Sequence, residues 1–105
     1  MKILISEILE KLKNYLPILY GDTLIKMILF GSHARGEATE NSDIDILIVT
    51  KKYLSRQKKE EFYHFISQLC LQYDVLINSI QMLEDSFESE NSPLLLNIRK
   101  ESITL

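Results

Sequence analysis

Residues 31–49 read GSHARGEATENSDIDILIV, a polar, glycine-containing segment that runs into an acid-led apolar one. The residues before it, Leu24–Phe30 (LIKMILF), are short, apolar and bounded by Gly31, which predicts a strand. At its far end, Asp43–Thr50 (DIDILIVT) is β-branched and apolar on both faces after its first turn, the pattern of a buried central strand. Between them, 31–42 is a Gly/Ser/Asn-containing segment with room for a short helix beginning within Ala34–Glu37. The stretch therefore reads strand, Gly-Ser, ten residues, then Asp-apolar-Asp leading a second strand.

Working outward, residues 3–16 repeat apolar side chains at helical spacing, at Ile5, Ile8, Leu9, Leu12, Tyr15 and Leu16. Pro17 is predicted to end or kink that helix, and Gly21-Asp22 to turn the chain. On the other side, Ser55 is a helix cap for a segment running to about Leu71, with Phe62, Phe65, Ile66 and Leu69 facing the core. Asp74–Ile80 (DVLINSI) reads as a third strand, and 82–87 as a weak segment. Ser92-Pro93 then starts a last helix, Leu94 to about Glu101, with Leu95, Leu96 and Ile98 as its apolar side. The predicted order is α-β-α-β-α-β-α: an α/β (α+β) fold with a three-stranded mixed sheet flanked by helices, one domain over 1–105.

The chemistry sits at the two ends of the opening stretch. On a strand, residues i and i+2 share a face, so Asp43 and Asp45 project together with Cα atoms roughly 6.5 Å apart. Two like charges on a core strand are costly unless a cation offsets them, and magnesium prefers carboxylate and phosphate oxygens. Two ions ~3.5–4 Å apart, bridged by such carboxylates, would clamp a triphosphate. A third acid is expected on a neighbouring strand, and Asp74 is the candidate. Gly31 permits a sharp turn and close approach of backbone to ligand. Ser32 could bond a phosphate, free N–H groups of the short helix would favour one, and Arg35 would neutralise phosphate charge or brace the loop. The competing phosphate motif, G-x-x-x-x-G-K-[ST], is absent from the sequence.

Composition narrows the partners. Of 105 residues, 46% are hydrophobic and 26% charged, which predicts a packed core. A net charge of −3 disfavours a grip on long nucleic acid, which a basic surface would serve. A single cysteine, Cys70, cannot staple a fold or build a Cys-type zinc site, and a cytoplasmic home is expected. No apolar run approaches the ~20 residues of a bilayer span, and Glu7 and Glu10 make the first segment amphipathic rather than a signal peptide, so no membrane partner is expected. His33 is assigned a loop-filling role and His64 a solvent-facing one. The basic cluster Lys51, Lys52, Arg56, Lys58 and Lys59 is assigned to a solvated helix start.

Gly31-Ser32, the spacer, Asp43-Ile44-Asp45 and an acid one strand later together resemble the minimal nucleotidyltransferase group of the DNA polymerase beta-like superfamily. The longer string Gly-Ser-x-Ala-Arg-Gly at 31–36 shares that resemblance, which covers nearly the whole chain. It implies an ATP-using enzyme with Mg²⁺ held by Asp43, Asp45 and Asp74, Asp74 also being a candidate general base, and a nucleotide held by Gly31, Ser32, Arg35, Asp43 and Asp45. Many such proteins resemble antitoxins paired with HEPN-domain ribonuclease toxins. The implied activity is transfer of AMP from ATP to a tyrosine of such a toxin, which neutralises it. Two alternatives remain at this level: transfer to a small molecule such as an aminoglycoside, and a binding-only antitoxin that covers its toxin sterically.

Overall fold

A computed structural model describes residues 5–39 and 42–105. Helix α1 (Ile5–Tyr20) leads through a single tight turn into β1 (Leu24–Phe30), followed by the short α2 (Ser32–Arg35) and β2 (Ile44–Thr50). Then come α3 (Arg56–Tyr73), β3 (Ile77–Leu83), α4 (Glu84–Ser89), α5 (Pro93–Lys100) and β4 (Ile103–Thr104). The sheet order is β3-β2-β1-β4, with β1 antiparallel to both β2 and β4 and β2 parallel to β3. The mixed sheet matches the expectation, with four strands among the described residues in place of three. The two-residue β4 is a strand because Ile103 and Thr104 pair with Leu29 and Ile28, not because of any pattern of its own.

Alternation along β1 and β2 divides the core between two faces. Met27, Leu29, Ile44, Ile46 and Ile48 pack beneath α1 and α3, against Ile8, Leu12, Leu16, Phe62, Ile66 and Leu69. Ile28, Leu47 and Val49 point the other way, onto Leu95 and Ile98 of α5. β2 is thus buried on both sides, as its continuous apolar run requires. Period 2 then assigns Asp43 and Asp45 to the α5 face, the face of Leu47 and Val49.

The caps read from the sequence are present. Ser55 Oγ accepts a hydrogen bond from the Lys58 amide, and Ser92 Oγ accepts one from Leu95, with Pro93 in the first turn.

Several boundaries differ from expectation. Residues 3–4 of the predicted first helix lie outside the described residues. α1 runs through Pro17 to Tyr20. Pro17 and Lys13 are both on the exposed side, so the carbonyl that loses its donor can meet water, while Leu16, Leu19 and Tyr20 hold the last turn by burial. On α5, Leu96 is exposed at 46%, and Leu94 packs inward with Leu95 and Ile98. The weak segment at 82–87 divides between the end of β3 and α4.

β3 starts at Ile77, three residues later than expected, because α3 continues to Tyr73 and Asp74 is its cap. Asp74 adopts φ 53, ψ 51, the left-handed conformation that ends helices and that Asp tolerates better than most residues.

Candidate active site

β1 and β2 are antiparallel, so the end of β1 and the start of β2 lie side by side, with Phe30 opposite Asp45. The next residue, Gly31, has φ 75 and ψ −157, a conformation open essentially to glycine alone. A Cβ placed on Gly31 would overlap Asp45 Oδ2 and lie 3.2 Å from Asp45 Cγ. The glycine is therefore required twice, by its backbone angles and by the carboxylate packed against it.

The third element is β3. The parallel register puts Asn78 abreast of Asp45. Asn78 Nδ2 donates to Asp43 Oδ2 and to Asp45 Oδ1, both at 3.1 Å. The positive end of an amide dipole thus stands between the two carboxylates. That arrangement shows that Asp43 and Asp45 converge on one point and suits them to a hard divalent cation there.

This corrects the strand placement of Asp74. Asp74 caps α3, outside β3, and the strand position facing the pair is an amide. Among the described residues, no group of three His, Cys, Asp or Glu side chains is placed to hold a metal ion. An acid preceding an apolar run is a plausible strand leader, which is what drew attention to Asp74. The signal for Asn78 was its parity: counted from Ile77, it shares its face with Ile80 and Met82, the face that meets α5.

The two aspartates open into a cavity of about 670 Å³, lined by Gly31, Ser32, Arg35, Ser42, Asp43 and Asp45 on the sheet side. Leu94, Asn97, Ile98 and Glu101 close it from α5, at helical spacing on one stripe. A volume of this order accommodates a nucleotide.

The loop is built from within. Gly31 O accepts from the amides of Ala34 and Arg35 at 3.1 and 3.2 Å. Those two N–H groups serve the turn, and do not face the cavity as free phosphate donors. His33 Nε2 lies 3.4 Å from Ser42 O, tying the two ends of the spacer, a loop-filling role. Glu40 and Asn41 of the spacer lie outside the described residues. Arg35 Nε bonds Glu37 Oε2 at 3.2 Å and lies 3.8 Å from Glu101 Oε2. Of its two expected roles, the geometry shows the brace, with the guanidinium still on the cavity wall. His64 is exposed on α3.

The family model described as a nucleotidyltransferase domain matches residues 5–103. A Methanocaldococcus jannaschii protein with the provisional name protein adenylyltransferase MJ0141 is 38% identical over 76 residues, 72% of this chain and 77% of its own. A second from that organism, provisionally named protein adenylyltransferase MJ0604, is 37% identical over 86 residues, 78% of this chain and 77% of its own.

Among solved structures, one described as a minimal nucleotidyltransferase superposes with a TM-score of 0.62 at 21% identity, covering 100% of this chain and 97% of that one. A toxin–antitoxin crystal structure with AMP-PNP gives a TM-score of 0.62 at 20% identity, covering 94% of this chain and 69% of that one. A tri-AMPylated Shewanella oneidensis HEPN toxin in complex with an MNT antitoxin gives 0.54 at 17%, covering 94% and 66%. The domain match and the relatives above a third identical fix the classification: the chain belongs to the nucleotidyltransferase domain family and is an enzyme of that type.

Proposed function

We propose that this protein is a protein adenylyltransferase that moves AMP from ATP onto a tyrosine of a HEPN-type ribonuclease partner and so silences it. The observation that carries the reading is the Asp43–Asp45 pair, converging beside the bare backbone of Gly31 in a cavity of nucleotide size. The names of the M. jannaschii relatives and the toxin–antitoxin likenesses support the choice of AMP and of a protein acceptor.

Each element has a part in that reaction. Gly31 lets Asp45 pack against the main chain, and the Ser32 hydroxyl at the cavity wall donates to a phosphate. Asp43 and Asp45 would hold Mg²⁺, two ions in the proposal, whose contribution is to draw charge from the triphosphate and lower the pKa of the acceptor hydroxyl. A tyrosine hydroxyl, with an unperturbed pKa of ~10, needs that help near pH 7. Leu94 and Ile98 supply apolar wall against which a base can rest. Among the described residues no helix is long and apolar enough to cross a membrane, and a cytoplasmic setting completes the proposal.

The test is transfer of label from α-labelled ATP with Mg²⁺ to a co-purified HEPN partner. Asp43→Asn and Asp45→Asn should each abolish transfer while circular dichroism stays unchanged. Near wild-type transfer by either folded variant would remove the carboxylate assignment. No label on the partner with wild-type protein would remove the protein-acceptor reading.

A further inference from the structure

The acceptor must lose a proton, and β3 does not supply the group to take it. The position abreast of Asp45 is Asn78, and an amide does not accept a proton near neutrality. Asp43 and Asp45 are committed to each other through the Asn78 amide and, when loaded, to the cation. Among the described residues, one further carboxylate lines the cavity, Glu101.

Its position is set by two elements. Glu101 caps α5, its amide donating to Asn97 O at 3.0 Å, so its side chain continues the stripe of Leu94, Asn97 and Ile98. Immediately after it, β4 pairs with β1, Ile103 with Leu29 and Thr104 with Ile28. Counting back in that register brings 101 level with Gly31. Glu101 therefore stands at the level of Gly31, on the wall of the cavity that Gly31, Asp43 and Asp45 also line.

The pairing of Glu101 leaves it available. Arg35 Nε holds Glu37 at 3.2 Å and Glu101 at the looser 3.8 Å, and the Glu101 side chain is 59% exposed. Exposed pairs of this kind are weak, so releasing Glu101 toward a substrate costs little.

We propose that Glu101, from α5, is the proton acceptor of the transfer reaction, in place of an acid on β3. This rests on the adenylyl-transfer reading. The acceptor O–H proton passes to a Glu101 Oε. The acceptor oxygen forms a bond to the α-phosphorus, the bond from the α-phosphorus to the bridging oxygen breaks, and pyrophosphate leaves with that electron pair. Arg35, freed from Glu101, stays on the cavity wall beside the departing charge. Asn78 is a positioning residue that aligns the two aspartates.

The test compares wild type, Glu101→Gln and Glu101→Asp. Two quantities are measured: transfer of AMP to the co-purified HEPN partner at saturating ATP, and affinity for an ATP analogue with a non-cleavable α–β bridge, with Mg²⁺, by calorimetry. Removing a general base lowers the rate about 10²–10⁴-fold. Glu101→Gln should show such a loss with affinity within twofold of wild type, and Glu101→Asp should recover at least tenfold over Glu101→Gln. A Glu101→Gln rate within threefold of wild type overturns the proposal, and so does a fall in affinity as large as the fall in rate. Wild-type protein that modifies no partner overturns the adenylyl-transfer reading and this inference with it. Active wild type with active Glu101→Gln overturns this inference alone.

Discussion

Gly31→Ala separates a site built around one glycine from a loop that merely contains one. The first cost is conformational: φ 75 with ψ −157 is a glycine region, and placing alanine there costs about 1–3 kcal/mol. The second is steric. The new Cβ overlaps Asp45 Oδ2, so the carboxylate must swing away and give up the 3.1 Å bond from Asn78 Nδ2. Asn78 is exposed, so that loss is set at about 1 kcal/mol, the figure for an ordinary hydrogen bond rather than for one to a charged group. The sum is about 2–4 kcal/mol, which a typical domain survives.

Gly21→Ala is the control, since Gly21 also has positive φ, +61, yet has nothing within 4 Å of an added Cβ. It should cost about 1–2 kcal/mol from handedness alone. In catalysis the two should part completely. Moving Asp45 by about 1 Å is worth about 10²-fold in rate, whereas Gly21 lies at the other end of β1. Urea denaturation followed by circular dichroism gives the stabilities, and labelled AMP transfer the rates. A Gly31→Ala protein as stable as Gly21→Ala and within threefold of wild-type activity would refute the packing of Gly31 on Asp45.

Two further outcomes follow from single side chains. Asn78→Ala leaves two converging carboxylates without the amide between them. It should lower stability in EDTA at low salt by about 0.5–1 kcal/mol, read as a lower melting temperature, with the difference shrinking as salt or Mg²⁺ is added; equal melting at low salt would count against the convergence. Tyr20 is 4% exposed, its hydroxyl has no partner among the described residues, and burial, then Tyr63, push its pKa well above 10.0. The folded state holds this proton more tightly than the unfolded one, so its contribution is full below pH 10 and is lost as pH rises above it. Tyr20→Phe should be at least as stable as wild type at pH 7 and should lose less stability above pH ~10 in pH-dependent melting; a steeper alkaline loss in the variant would contradict that placement.

Where local pattern and tertiary role coincide, the sequence was readable. Leu24–Phe30 is a strand in both, because a seven-residue apolar run ending at a glycine has few other uses. Asp43 and Asp45 were legible for the same reason, since parity puts them on one face before any partner strand is known. Ser55 and Ser92 declared two helix starts through their own hydroxyls.

The losses came where a neighbour decides. Ile103 and Thr104 form a strand only because β1 has a free edge. An acid before an apolar run fits a strand start, but the left-handed cap of α3 claims Asp74. Asn78 escaped notice because an amide carries no charge to draw attention, and its meaning depends on the parallel register with β2. Glu101 read as the ragged end of a helix until β4 brought it level with Gly31.

Intact-mass spectrometry of the proposed HEPN-type partner, co-expressed with this protein and purified, reads the transfer on the acceptor itself. Additions of whole AMP units, mapping to tyrosine on fragmentation, are expected with wild-type protein and are expected to be absent with Asp45→Asn. A partner that is silenced while its mass stays unmodified would contradict the adenylyl-transfer reading.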